Sequence, residues 1–131
     1  MRVTRADGNR IVRIGPMRPG DRIELRYRHS VERTPIVEVF RVERDGLWFE
    51  EMRFVSQGAG LPTEGYVKEG DHFVLRQPRR VGTLPVLLSE LAGHRLYAAG
   101  RETDLVRGFS DGDSVSVSVV PFAGRRRPGP R

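Results

Sequence analysis

From Arg22 to Val31 apolar and polar residues alternate along the chain. Ile23, Leu25, Tyr27, His29 and Val31 fall on one side, and Arg22, Glu24, Arg26, Arg28 and Ser30 on the other. A period of two is that of a half-buried β-strand. A second strand, Ile36 to Glu43, places Ile36, Glu38, Phe40 and Val42 on a common face. Joining the two through Glu32-Arg33-Thr34-Pro35 predicts a hairpin in which Val31 faces Ile36, His29 faces Glu38, Tyr27 faces Phe40 and Leu25 faces Val42. The two polar misfits would then sit about 5 Å apart at Cβ inside an apolar layer.

The Asp45-Gly46 turn leads to a third strand, Leu47 to Ser56, whose alternation breaks at Glu50-Glu51. A β-bulge there would return Leu47, Phe49, Met52 and Phe54 to one face. The same pairing sets Phe49 against Val42, Met52 against Phe40 and Phe54 beside Glu38. Asp7-Gly8, Pro19-Gly20, Glu69-Gly70 and Asp111-Gly112 mark further turns, and Ser114 to Val119 alternates Ser and Val. No long 3.6-residue stripe competes, and the two helical candidates, 84–91 and 103–109, are a turn or two each. The expected fold is all-β: an antiparallel meander closing into a small barrel or sandwich, with one or two short helical turns. Residues 1–123 read as a single domain and 124–131 as a disordered basic tail.

Composition changes this picture little. A chain of 131 residues can bury about two thirds of its unfolded surface and needs no metal or disulfide to hold a core. There is no Cys, which removes thiol catalysis, thiolate metal sites and disulfides together and leaves the redox compartment open. The net charge of +6 invites a nucleic-acid reading, but Gly124 to Arg131 carries four Arg and no acid, leaving +2 for the rest. Within that body Arg and Glu/Asp are interspersed, whereas a phosphate-binding surface gathers its cations and interleaves aromatics. No nucleic-acid partner is expected. No apolar run reaches the ~20 residues that span a bilayer, and no signal-peptide core opens the chain. An extracytoplasmic or membrane-associated location therefore requires that a leader was removed; otherwise the expectation is the cytoplasm.

Candidate chemistry centres on His29 and Glu38. A carboxylate that orients an imidazole suits a general base or a metal ligand; equally, a buried polar pair can satisfy its own hydrogen bonds and fix strand register. Catalysis would need a nucleophile. Ser30 must point away from His29 on a regular strand, and Thr34 and Ser56 lie in no nucleophile motif. A metal set of His29 and Glu38 with His72 or His94 matches no ligand spacing. Neither catalytic residues, nor a metal, nor a cofactor is therefore assigned. Gln57-Gly58-Ala59-Gly60-Leu61-Pro62 follows the third strand. No Gly-Lys-Ser/Thr completes a phosphate loop, but the two glycines let backbone approach closely. Gln57, Gly58, Gly60 and Thr63 are expected to form the lip of a small ligand- or partner-binding pocket with His29 and Glu38.

These residues resemble a known pattern. Tyr27-Arg28-His29-Ser30-Val31, Thr34-Pro35, Glu38 and Phe40 are similar to the opening motif of domain-of-unknown-function family 1850. Its second motif, a strand ending in Ser followed by Gly-Ala-Gly-Leu-Pro, is matched by Ser56 and by Gly58 to Pro62. With His94-Arg95-Leu96 and the final strand, the resemblance covers Met1 to about Phe122. Members are short, frequently begin with a signal or anchor segment, and are often encoded beside the fused permease of TAXI-type TRAP transporters. These transporters import organic acids with a periplasmic solute-binding protein. The resemblance implies no enzymatic activity. It implies a non-enzymatic, extracytoplasmic accessory domain of a TRAP-TAXI uptake system, whose partner is the permease or its solute-binding protein. Two alternatives stand beside it: a small-molecule-binding β-barrel independent of any transporter, and a small hydrolase using His29.

Overall fold

A computed structural model describes residues 1–29, 31–55 and 61–119. In chain order the strands are β1 (Arg2–Arg5), β2 (Ile11–Arg13), β3 (Arg22–Arg28), β4 (Pro35–Glu43), β5 (Gly46–Phe54), β6 (Tyr66–Glu69), β7 (His72–Gly82), β8 (Leu84–Leu87), β9 (Arg95–Ala98), β10 (Arg101–Asp104) and β11 (Ser114–Ser118). One short helix, α1 (Leu105–Gly108), opens on Asp104, whose carboxylate accepts the Arg107 amide as an N-cap. The strands form two antiparallel sheets, ordered β2-β1-β11-β8 and β10-β9-β3-β4-β5-β7-β6. The fold is an all-β sandwich; the barrel alternative is not seen, because among the described residues β10 and β6 remain edges of the larger sheet. The tail from Gly124 lies outside the described residues.

The inner faces meet over one core. Ile23, Leu25, Phe40, Val42, Leu47, Phe49 and Leu96 come from the larger sheet, and Val3, Val86, Val115 and Val117 from the smaller. Four strands cannot cover seven. Beyond the smaller sheet a second cluster forms from Ile36, Phe54 and Leu61, with Tyr66 and Phe73 packed against it. Tyr27 and Met52 pack against both clusters, so they mark the seam between them.

Every strand of the meander appears, but the predicted partners are displaced. Tyr27 faces Ile36, Leu25 faces Glu38 and Ile23 faces Phe40. The connection closes two residues earlier than Glu32-Arg33-Thr34-Pro35 implies: the His29 amide donates to the Thr34 carbonyl at 2.9 Å, and Pro35 already pairs with Arg28 as the first residue of β4. Proline is tolerated at a strand start, where its missing N–H costs the ladder least. Each partner is displaced by four residues, an even number, so the side chains of β3 and β4 keep their predicted faces and change only their neighbours. Val31, expected inward, lies in the turn and is 71 % exposed. The next hairpin slips by half as much, two residues. Its turn residues are Arg44 and Asp45, Gly46 faces Glu43, and Phe49 faces Phe40 instead of Val42. The bulge is where the pattern broke, with Val39 facing Glu51 and Phe40 facing Phe49 so that Glu50 is the extra residue.

Residues 84–91 do not form a helix: Leu84–Leu87 is strand β8, and a turn follows. The chain leaves the larger sheet for the smaller one between β7 and β8, where Gly82 has φ 78°. Gly46 packs on that corner, and a Cβ on it would lie 2.9 Å from Gly82 backbone atoms.

On the other face of the larger sheet the charges are paired. Glu50 bridges Arg22 (2.6 Å) and Arg41 (2.9 Å), Arg26 reaches Glu24 (2.6 Å), and Arg76 reaches Glu69 (2.6 Å). The interspersed Arg and Glu of the sequence thus become a cross-linked mixed-charge surface. Pairs this exposed contribute little each to stability.

Candidate functional site

The seam between the two clusters holds most of the buried polar groups. It is built by two turns. In the first, residues 29–34, the Arg33 amide donates to the His29 carbonyl at 2.8 Å, and Arg33 itself has φ 62°. His29 lies 8 % exposed within this turn. Its Nδ1 accepts the amides of Val31 (3.2 Å) and Glu32 (3.0 Å). A backbone amide can only donate, so Nδ1 carries no proton and the neutral ring carries its proton on Nε2.

The second turn repeats the device. Between β8 and β9 the Gly93 amide donates to the Ser89 carbonyl at 2.9 Å, and the Ala92 amide reaches Ser89 Oγ at 3.4 Å. His94 is 7 % exposed, and its Nδ1 accepts the Ser89 amide at 3.4 Å. Burial holds the His94 imidazole below its usual range.

Tyr27 stands between these turns. Its ring lies 5.0 Å from that of His94, tilted by 32°. Its hydroxyl donates to Glu38 Oε2. Burial raises the Glu38 carboxyl above the usual carboxylate range, opposed by the Tyr27 hydrogen bond and by the Arg79 guanidinium. The Tyr27 phenol is pushed up by burial, and further by the charge and hydrogen bond of Glu38.

In front of Tyr27 opens a cleft of about 320 Å³. Ile36, Met52, Leu61 and Leu87 supply its apolar lining, and Tyr27, His29, Ser89 and His94 its polar one. Leu87 is 67 % exposed although it lines the cleft. A small apolar-walled recess with a few convergent polar groups is the usual form of a small-molecule site.

The residues singled out from the sequence separate here. His29 lines the cleft. Glu38 does not face His29 across the strands: Leu25 holds that position, and the carboxyl is bonded to Tyr27. Thr63 is exposed and lines none of the described recesses. Gln57, Gly58 and Gly60 lie outside the described residues, as do Ser30 and Ser56. Among the described residues no group of three His, Cys, Asp or Glu could hold a metal ion, and no helix is long and apolar enough to cross a membrane. Sequence reasoning missed Tyr27 as the Glu38 partner and Ser89 and Leu87 as cleft residues, and it offered His94 only as a remote metal ligand. The signal available for His94 was a Gly-His step before an alternating strand, which does not say what the ring meets.

No curated protein and no solved structure matches the chain. The sequence model of a family described as "Domain of unknown function (DUF1850)" matches residues 23–105, a narrower span than the resemblance first covered. That span runs through the larger sheet and β8, and it includes both turns of the cleft. The chain belongs to the DUF1850 family.

Proposed function

We propose that this chain is a non-enzymatic binding domain that serves a TAXI-type TRAP uptake system outside the cytoplasmic membrane. The partner is the permease or its solute-binding protein. The observation that carries the non-enzymatic reading is the state of the two cleft imidazoles. A neutral imidazole has one ring nitrogen with an available lone pair, and in both His29 and His94 that nitrogen accepts backbone amides. Taking a proton from a nucleophile there would cost His29 its two amide hydrogen bonds and His94 its contact with the Ser89 amide. That cost favours binding over general-base catalysis as the use of this site. The transporter setting is supported by family membership and by the setting that the motif resemblance implies.

Co-purification tests the partner. The folded domain is expected to retain the cognate permease or solute-binding protein, and His29→Ala or His94→Ala to weaken that retention. Retention of neither protein by a correctly folded domain removes the transporter role. The cleft favours a second reading, a small-molecule-binding domain with no transporter partner. Ligand binding without retention of either protein would establish it.

A further inference from the structure

A second recess, about 370 Å³, adjoins the cleft and shares Tyr27, Arg28 and Ala92 with it. The Arg28 amide donates to the Ala92 carbonyl at 2.9 Å, which ties together two of the residues that border both recesses. Four arginines, Arg26, Arg28, Arg33 and Arg95, line this recess with one acidic residue, Glu90. Arg26 and Arg95 are already engaged, the first by Glu24 at 2.6 Å and the Tyr97 ring at 3.9 Å, the second by Glu102 at 3.3 Å. Arg28 and Arg33 meet no carboxylate among the described residues.

Arg33 is held there against backbone preference. Its φ of 62° is left-handed, a region where glycine or asparagine is ordinarily found. Among the described residues Ala99 is the one other non-glycine residue with positive φ, and it precedes Gly100 in a tight turn. Strain kept at a recess points to a use for the side chain. Three of the large apolar residues that are most exposed also lie at this end: Leu87 lines the cleft, Leu91 the arginine recess, and Val31 belongs to the Arg33 turn.

We propose that cleft and recess are one site for a small anionic amphiphile. Its aliphatic chain packs on Ile36, Met52, Leu61 and Leu87, and its anionic head group lies at Arg28 and Arg33. This rests on the binding-domain reading above and adds the chemical class of the ligand. A planar fork of donors suits a carboxylate or a phosphate head alike.

Calorimetric titration of the whole chain with octanoate, octyl phosphate, octanol and acetate tests it. The two octyl anions are expected to bind at least tenfold tighter than octanol or acetate, and whichever binds more tightly identifies the head group. Arg33→Gly is expected to weaken octyl-anion binding at least tenfold while raising the unliganded Tm by about 3–6 °C, because the strain is relieved. That combination cannot arise from misfolding. Leu87→Ser should weaken the octyl anions and leave acetate unchanged. Octanol binding as well as octanoate, or Arg33→Gly binding like the parent, overturns the proposal. So does adsorption to phosphatidylglycerol vesicles without binding of free octyl anions, which would make this end a membrane-facing surface. Retention of the permease or solute-binding protein does not depend on these titrations, so the two readings fail separately.

Discussion

The two ends of β4 are closed by turns of opposite character. At the β4–β5 end the turn is Arg44-Asp45, and what matters is an absence: Gly46 has φ 129° and no side chain, which lets β5 lie against the Gly82 corner. At the β3–β4 end the chain uses six residues, buries an imidazole to satisfy two amides, and keeps an arginine where glycine would be easier. The first turn serves the sandwich alone. The second gives up some stability to hold particular side chains, and it borders the cleft. Conformational strain kept with bulky, charged groups is a mark of use, whereas strain removed by glycine is a mark of architecture.

The largest expected effect lies at the architectural end. Gly46→Ala adds a Cβ within 2.9 Å of Gly82 backbone in a conformation that L-residues rarely adopt. It should cost about 3 kcal/mol, read as a lower urea midpoint. An unchanged midpoint would mean that the corner can relax and that the contrast between the turns is overstated.

Tyr27→Phe comes next. It leaves the Glu38 carboxyl without its donor and should cost about 1–3 kcal/mol. The folded Glu38 already sits above its ordinary 4.5, so the native state holds a proton that the unfolded chain has released. Stability therefore falls as pH rises from 4.5 through the raised value. Tyr27 opposes that rise, so Tyr27→Phe should extend the window upward, which an NMR titration of the Glu38 carboxyl would record.

Arg33→Gly has the opposite sign. Relief of one left-handed residue should stabilise the fold by about 1 kcal/mol, visible as a higher urea midpoint. A loss of stability would show that the arginine is needed by the fold itself.

The smallest effect is a slope. His94 titrates below its ordinary 6.5 in the folded chain, so acidification protonates the unfolded state first. Stability is complete above 6.5 and is lost as pH falls toward the lowered value. His94→Gln should flatten the stability curve across that interval, measured by urea melts at stepped pH.

How much of this was legible follows from the geometry of strands. Alternation in 22–28 and 36–42 told which side chains share a face, and Glu50-Glu51 told where the ladder is interrupted. Partners were less legible, because they depend on turn length. His29 and Thr34 close their turn two residues earlier than the loop composition suggests, and Glu38 passes from His29 to Tyr27. The helix expected at 84–91 failed for a related reason: Leu84 and Val86 alternate inward as a short strand against β11, and a run that short does not discriminate between the two periods.

Sequence by itself determined the all-β class, the inward residues of β3 and β4 and the mixed charge on the sheet's other face, because these depend on neighbours along the chain. Tertiary structure alone decided that seven strands outrun four, that Tyr27 and His94 meet across the seam, and that Arg28 and Arg33 border one recess. Those contacts join residues far apart in the chain. Sheet length, turn closure and the corner at Gly82 set them, and no local period carries that information.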